Sequence, residues 1–284
     1  MSIVVTGATG NLGRHVIEQL LEKVPAEQVT AVVRSAEKGA DFAARGVKIA
    51  VADYNTPETF DGLFAAGDKV LLISGSEVGN DRPGQHTVVI NAAKAAGVAL
   101  LAYTSAPGSL TAALADDHRA TEKVLLASGL PYALLRNGWY HENYTENLAP
   151  VLQYSAVTQA AGDGRVSSAS RADYAAAAVA VLTGEGHENQ TYELGGDEAW
   201  GFAEYAAELS KQTGKEIAYN SVSTEEYTGI LAGAGLPAPL AAILAGVDAS
   251  IAKGELVVSS GDLSRLAGRP TTPLSEAIAV ALKG

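Results

Sequence analysis

Three glycines near the amino terminus have the spacing of a phosphate-binding turn. Gly7, Gly10 and Gly13 follow the short apolar run 3–5, and a helical pattern begins near Asn11. Glycine permits a tight turn out of a strand, leaves room for a phosphate and lets a helix pack closely on a sheet. The amino terminus of a helix also attracts anions through its free N–H groups. This strand–turn–helix therefore predicts dinucleotide binding.

The residue after the second predicted strand distinguishes between cofactors. The strand Val29 to Val33 is followed by Arg34, and the first acidic residue after the strand is Glu37. An acidic residue at this position binds the ribose hydroxyls of NAD and repels a 2′-phosphate, whereas arginine offers a planar set of donors to a phosphate. The sequence therefore predicts NADP(H), with the alternative that Arg34 is only a solvated strand end.

Polar residues follow the next strands as well. Asp53, after the third strand, either contacts the adenine amino group or caps a helix. In a doubly wound sheet the carboxyl ends of the strands border the ligand crevice, so hydroxyls and glycines at these ends suit cofactor ribose and phosphate groups. The residues predicted on this basis are Ser74, Gly75, Ser76, Thr104 and Ser105.

Two aromatic residues follow the sixth strand, in the segment Asn137-Gly138-Trp139-Tyr140. Aromatic rings at a strand end can stack on a nicotinamide or on a flat substrate. They can equally pack between two lobes, and both interpretations remain open at this point.

The elements that must position these residues alternate along the first half of the chain. Strands are predicted at 3–5, 29–33 and 47–52 and in KVLLISGS, VALLAYTS and LPYALLRN, with helices between them. Alternating strands and helices favour a parallel sheet covered on both faces, and right-handed crossovers make it doubly wound. The predicted fold class is therefore α/β, a Rossmann-type doubly wound parallel sheet with a smaller carboxy-terminal α/β substrate lobe.

The alternation ends after Asn137. Helices are predicted at 143–154, from 171, in AEYAAELSKQTG, and at 225–232, 239–252 and 274–282, with short strands at 192–194 and in EIAYNSV. We predict an NADP-binding domain of residues 1–140 plus about 165–195. Residues of about 141–164 and 196–284 form the smaller lobe, which shares the main core.

Composition excludes several classes of function. The 284 residues contain no cysteine, which excludes disulfides, thiolate nucleophiles and zinc–thiolate or iron–sulfur sites. The net charge of −12 argues against a nucleic-acid surface. No apolar run is long enough to cross a membrane and no signal-peptide pattern is present, so we expect a cytoplasmic protein. The histidines lack metal-ligand spacing; His15 and His141 are expected to face water.

Taken together, the segments GATGNLG, LLISGSEVG, RNGWYHENY, SRADYAAAA and GRPTT resemble the NmrA-like branch of the atypical short-chain dehydrogenase/reductases. The resemblance runs nearly end to end and implies an NADPH-dependent reductase of quinones or similar flat conjugated acceptors. It places the pyrophosphate on Gly7, Ala8, Thr9, Gly10, Asn11 and Leu12, the 2′-phosphate on Arg34, and the ribose and diphosphate along Ser74 to Ser76. It places the nicotinamide end at Gly138, Trp139, Tyr140 and Asn143 beside Arg171, and acceptor contacts at Asn137, Trp139, Tyr140 and Tyr144.

One feature of many short-chain dehydrogenases is missing. Their catalytic Tyr and the Lys four residues later should fall at Leu114 and His118 of this chain. Reduction of an ordinary ketone develops alkoxide charge that needs a proton donor, whereas a quinone takes hydride into a delocalised anion that water can later protonate. The absent pair therefore favours a quinone-like acceptor. His118 is the candidate catalytic residue, or else a solvated residue at the start of a helix.

Other functions remain open. A Ser105–His118–Asp116 hydrolase triad is disfavoured, because no nucleophile-elbow glycines surround Ser105. Relatives in the same branch sense NADP(H) and signal to a protein partner without turnover, and others reduce triarylmethane dyes or xenobiotics. The expected partner is a small quinone-like acceptor, with no nucleic acid and no membrane, and the protein is expected to be a monomer or homodimer.

Overall fold

The computed structural model describes residues 2–75, 81–111 and 114–283. The strands are β1 (Ile3–Val5), β2 (Val29–Val33), β3 (Lys48–Val51), β4 (Lys69–Leu72), β5 (Leu100–Ser105), β6 (Tyr132–Asn137), β7 (Ala156–Gln159), β8 (Arg165–Val166), β9 (Gln190–Leu194), β10 (Trp200–Gly201) and β11 (Ala218–Ser221). The helices are α1 (Asn11–Leu21), α2 (Ala40–Ala43), α3 (Arg82–Ala96), α4 (Leu114–Ser128), α5 (Glu142–Thr145), α6 (Ala149–Tyr154), α7 (Arg171–Thr183), α8 (Phe202–Thr213), α9 (Thr224–Gly233), α10 (Ala238–Ala252), α11 (Asp262–Ala267) and α12 (Leu274–Ala281). Short 3₁₀ turns lie at Ala26–Gln28, Ala36–Gly39 and Pro57–Phe60.

A seven-stranded sheet has the order β3-β2-β1-β4-β5-β6-β9. The neighbouring pairs from β3 to β6 are parallel. Strand β9 runs in the same direction as β6, because Asn189 N–H donates to the Tyr132 carbonyl and Gly138 N–H to the Leu194 carbonyl. The winding reverses between β1 and β4, which is where doubly wound sheets bind ligands. The predicted fold class is confirmed.

The strands read as continuous apolar runs because both faces of the sheet are covered. All three residues of β1 and all six of β5 are buried. Helix α1 buries Leu12, Val16, Ile17 and Leu20 and packs against α7, whose buried residues include three alanines. Small residues let the two helices approach each other closely, so the repeated alanines of RADYAAAA fit a covered helix.

The chain divides into two compact units. The first comprises 1–106, 117–137 and 171–192; the second comprises 107–116, 138–170 and 193–284. The first unit carries strands β1 to β6 of the sheet. The second contains the parallel pair β7–β11, the antiparallel pair β8–β10 and helices α8 to α12. The sequence did not identify 107–116 as part of the second unit.

Several local predictions differ from the structure. Between β2 and β3, where a helix is predicted, the chain forms a 3₁₀ turn followed by the four-residue α2. The helix predicted over 143–154 is broken into α5 and α6. Pro150 lies in the first turn of α6, where its missing N–H has no effect, whereas a continuous helix would need that N–H. Strands β7, β8 and β10 and helix α11 were not predicted; they are too short to show periodicity.

Gly13 supplies a direct test of how α1 is held. A Cβ at this position would lie 2.3 Å from the Gly7 carbonyl oxygen and 2.8 Å from backbone atoms of Ala8. Backbone cannot move aside as a side chain can, so Gly13→Ala should lower the free energy of unfolding by about 1–3 kcal/mol. Denaturant unfolding of the purified variant measures this.

Gly229 in α9 is the matched control, because nothing lies within 4 Å of a Cβ built there. Gly229→Ala should leave stability unchanged or raise it by roughly 0.5–1 kcal/mol, since alanine is the better helix former. Equal losses in the two variants would contradict the close approach of α1.

Candidate cofactor site

The turn between β1 and α1 has the geometry that the glycine spacing predicts. Gly7 has φ +61°, in the left-handed region that favours glycine. The Gly10 N–H donates to the Gly7 carbonyl (3.0 Å), and Gly10 is the residue preceding α1. The close contact of Gly13 with the Gly7 carbonyl then fixes the start of α1 over the turn.

The amino terminus of α1 suits an anion. No side chain caps this end and no acidic residue lies in its first turn. The first N–H groups of a helix have no partner within it, and the helix dipole gives them a positive character. A pyrophosphate therefore fits this end of α1, and its contacts with Gly7 to Leu12 stay a prediction.

The end of β1 is joined to the end of β4 through Thr6. The Thr6 hydroxyl donates to the Leu71 carbonyl (3.1 Å) and accepts from the Ile73 N–H (3.2 Å). The buried Tyr54 hydroxyl lies 2.5 Å from Thr6 Oγ1 and 2.8 Å from the Ile73 carbonyl. Burial raises the pKa of Tyr54, so this phenol stays protonated. Thr6 and Tyr54 were missed by sequence reasoning, because neither belongs to a motif.

The predicted hydroxyls at the ends of β4 and β5 are close together. The Ser74 N–H donates to Thr104 Oγ1 (2.9 Å), and the two hydroxyl oxygens lie 3.4 Å apart. The Gly75 N–H donates to His86 Nε2 (3.0 Å). Ser76, also predicted to bind the cofactor, lies outside the described residues.

Ser105 belongs to an ionic network and not to a hydrolase triad. Its hydroxyl donates to Glu122 Oε1 (2.6 Å), and Arg136 binds both oxygens of the same carboxylate (3.0 and 2.7 Å). The Ser105 hydroxyl hydrogen is thus committed, so its oxygen can only accept further hydrogen bonds. His118 is bonded elsewhere, as described below.

Arg34 and Asp53 lie at the ends of their strands as predicted. Arg34 follows β2 and is exposed. Asp53 Oδ1 accepts from the backbone N–H (2.8 Å) and the side-chain amide (3.1 Å) of Asn55, so it closes a local turn and caps no helix. The contact of Asp53 with an adenine stays a prediction.

Asn137 at the end of β6 has a buried, unsatisfied acceptor. The residue is 8% exposed, and its Oδ1 has no hydrogen-bond partner in the part of the chain that the structure describes. Leaving a buried acceptor unpaired costs about 1–3 kcal/mol. An N–H or O–H donor of a ligand would satisfy it, which fits the amides and hydroxyls of a nicotinamide dinucleotide.

His118 is not a solvated residue at a helix start; that alternative is wrong. The residue is 8% exposed, Arg82 donates to its Nε2 (3.0 Å), and its Nδ1 lies 2.9 Å from the Tyr103 hydroxyl. Burial, and then the charge of Arg82, lower the pKa of His118 to about 3. With both ring nitrogens bonded within the protein, this geometry favours a structural role over the predicted catalytic one.

The remaining predicted residues, apart from Arg171 at the start of α7, belong to the second unit. The Gly138 N–H donates to the Leu194 carbonyl (2.7 Å), Trp139 and Tyr140 are half-buried, and Asn143 is exposed. Tyr144 meets Trp200 and Phe202 edge to face, with ring centroids 5.1 and 5.4 Å apart. Whether these residues touch a cofactor or acceptor stays a prediction.

His141 does not face water, so that expectation is wrong. It is 2% exposed, with Nδ1 2.8 Å from Ser168 Oγ and Nε2 2.9 Å from the Thr272 carbonyl. By contrast His15 is exposed on α1, as predicted.

Neither a metal site nor a membrane-spanning helix is found among residues 2–75, 81–111 and 114–283. No three His, Asp or Glu side chains among those residues converge as a metal site. No helix within them has the length and apolarity needed to cross a bilayer.

Known proteins match this chain over nearly its full length. The family model described as NAD(P)H-binding matches residues 7–185. Quinone oxidoreductase 2 of Escherichia coli (strain K12) is 48% identical over 278 residues, which are 97% of each chain. The crystal structure of the NADPH-dependent quinone oxidoreductase from E. coli in complex with NADPH superposes with a TM-score of 0.95, at 47% identity and 99% coverage of both chains. The triphenylmethane reductase of Citrobacter sp. in complex with NADP(H) has a TM-score of 0.94 at 42% identity, covering 99% of this chain and 100% of that one. The chain therefore belongs to the NAD(P)H-binding family.

Proposed function

We infer that this protein is an NADPH-dependent quinone oxidoreductase. The observation that carries the inference is the end-to-end similarity to the E. coli quinone oxidoreductase 2, at 48% identity. The site agrees with it, since the uncapped end of α1 suits a pyrophosphate and an arginine follows β2.

The first unit holds most of the proposed cofactor contacts. Gly7 to Leu12 bind the pyrophosphate through backbone N–H groups, and Arg34 pairs with the 2′-phosphate. Ser74, Gly75, Thr104 and Ser105 border the ribose and diphosphate. The proposed contacts at the nicotinamide end are Gly138, Trp139, Tyr140, Asn143 and Arg171.

The proposed hydride transfer does not require a proton donor from this chain. When bound, NADPH supplies the hydride. Leu114 and His118 occupy the positions of the missing Tyr and Lys, and His118 is neutral with both nitrogens bonded. The protein's contribution is therefore to bind and orient the cofactor and to present it to an acceptor whose reduced anion is stable without an enzymic proton donor.

The similarity to the Citrobacter triphenylmethane reductase supports a second acceptor class, triarylmethane dyes. These are flat and conjugated like quinones and take hydride at a cationic carbon, so they too need no proton donor. The two functions share the cofactor and differ only in the acceptor. Competition between a benzoquinone and a dye in one assay compares them.

The purified protein should oxidise NADPH when a simple benzoquinone is added. Loss of the NADPH absorbance band, dependent on both quinone and enzyme, measures the reaction. Cofactor binding without turnover of any quinone or dye would contradict the inference and favour the non-catalytic NADP(H)-sensing alternative. Separate measurement of NADPH binding by fluorescence distinguishes that result from an inactive preparation.

Arg34→Ala should weaken NADPH binding by about tenfold to a hundredfold, because a charge-assisted contact with a phosphate is lost. NADH has no 2′-phosphate, so its binding should change by less than about twofold. Titration of both cofactors measures the difference. Arg45→Ala is the control, since Arg45 is an exposed arginine of the same unit that pairs with Glu18; equal weakening of NADPH and NADH by Arg34→Ala would contradict the assignment.

Tyr140→Ala should raise the KM for the quinone by about twofold to tenfold, because an aromatic stacking contact is removed. The affinity for NADPH should change less than this KM, because most of the proposed cofactor contacts lie in the first unit. Tyr154→Ala is the matched control, because this tyrosine of the same unit is 73% exposed. Initial rates over a range of quinone concentrations measure the effect, and an unchanged KM would assign Tyr140 to packing.

A further inference from the structure

A buried polar network in the first unit lies behind the loop that follows β4. It consists of Arg82, His86, Tyr103, His118 and Thr121, from α3, β5 and α4. His86, Tyr103 and Thr121 are 0% exposed, and Arg82 and His118 are each 8% exposed. Neither the cofactor motifs nor the proposed hydride transfer uses these groups.

The hydrogen-bond directions at one end follow from Arg82. A guanidinium can only donate, so His118 Nε2 is the acceptor of the 3.0 Å contact with Arg82. The hydrogen of neutral His118 is therefore on Nδ1, and it is donated to the Tyr103 hydroxyl oxygen at 2.9 Å.

The directions at the other end follow from the Gly75 amide. A backbone N–H can only donate, so His86 Nε2 is the acceptor of the 3.0 Å contact. The His86 hydrogen is then on Nδ1 and is donated to Thr121 Oγ1 at 2.8 Å. Thr121 in turn donates to the Asp117 carbonyl (2.9 Å).

Both series of hydrogen bonds are satisfied by one arrangement, in which His86 and His118 are neutral and each has its hydrogen on Nδ1. Burial, followed by the charge of Arg82, lowers the pKa of His86 to about 4. A second proton on either ring would turn a required acceptor into a donor facing another donor. The groups around the rings are Arg82, the partly exposed Asp117 that Arg82 pairs with (3.5 Å), and Glu122 near Tyr103.

Residues 73–75, which this network contacts through Gly75, lie beyond the end of β4 and do not belong to a strand. Strand β4 ends at Leu72, and the next three amides each donate to a side chain. Ile73 donates to Thr6, Ser74 to Thr104 and Gly75 to His86. The conformation of residues 73–75 is therefore set by side chains from three different parts of the chain, and His86 supplies the last of these bonds.

We propose that His86 is a positioning residue for NADPH, whose Nε2 holds the Gly75 amide and thereby fixes Ser74-Gly75 against the cofactor. This rests on the proposed function, since it assumes that the segment borders NADPH. A purely apolar residue would fill the core without the cost of burying an imidazole, so the ring is explained by the amide that it binds.

The tautomer is the first test and needs no cofactor or variant. Nitrogen-15 NMR of histidine-labelled wild-type protein should show His86 and His118 with hydrogen on Nδ1 and a bare Nε2. This state should persist between about pH 8 and about pH 5.5, because both pKa values lie well below that range. A hydrogen on His86 Nε2 would overturn the proposal, since the Gly75 amide would then have no acceptor.

Variants test the link to the cofactor. His86→Phe keeps the ring and removes both nitrogens, and it should raise the Kd for NADPH by about tenfold, as expected for loss of one buried hydrogen bond. His86→Gln keeps an acceptor and should recover part of this loss. Because His86 touches no reacting atom, kcat at saturating NADPH should stay within about twofold of wild type.

His187→Phe is the matched control, because His187 Nδ1, like that of His86, pairs with a side-chain hydroxyl in the same unit (Tyr192, 2.7 Å). It should leave the Kd for NADPH unchanged. Wild-type protein that binds no NADPH would overturn the proposed function itself. Wild-type binding with an unchanged Kd in both His86 variants, or an equal loss in His187→Phe, would overturn only the role of His86.

Discussion

The structure depends first on how closely α1 approaches the turn that follows β1. With no side chain at Gly13, the helix starts almost in contact with the Gly7 carbonyl, where a Cβ would lie 2.3 Å from that oxygen. This contact places the free N–H groups of α1 at the carboxyl end of β1, beside the point where the winding of the sheet reverses. An uncapped helix end without acidic residues is unfavourable unless water or an anion satisfies it, so the same contact that packs the helix also forms the end at which we propose the pyrophosphate.

The sequence predicted those features whose physical cause is local. The bounds of β2 were predicted at Val29 and Val33, and the roles of Gly7 and Gly13 followed from spacing alone. The break between α5 and α6 and the burial of His141 were not predicted. His141 is buried because Ser168 and Thr272, both distant in the chain, satisfy its two nitrogens. A polar residue shows such partners only once the fold is known.

His118 shows that the residue at one position of the fold can have a catalytic role in some relatives and a structural role in this chain. In relatives that carry the Tyr–Lys pair, this position holds the cation that assists proton transfer. Here the neighbouring cation is Arg82, whose guanidinium donates to His118 and keeps the ring neutral. A neutral imidazole committed at both nitrogens cannot deliver a proton near neutral pH. This arrangement favours acceptors that need no proton from the enzyme, and the preference follows from a hydrogen bond as well as from a missing tyrosine.

The network behind Gly75 also shows that a positioning residue can belong to no motif and still be recognised in the sequence from its place on a buried helix face. In α3 the buried residues are Arg82, His86, Val89, Ile90 and Ala93, at a spacing of three and four residues. Arg82 is the first residue of the helix; of the four that follow it on this face, three are apolar and the other is a histidine. Burying an imidazole there is unfavourable unless each nitrogen has a partner, and a neutral ring needs one donor and one acceptor. The Thr121 hydroxyl accepts on one side and the Gly75 amide donates on the other. A histidine in phase with a buried helix face therefore indicates a bond to a fixed donor, and here that donor lies in the loop that follows a central strand.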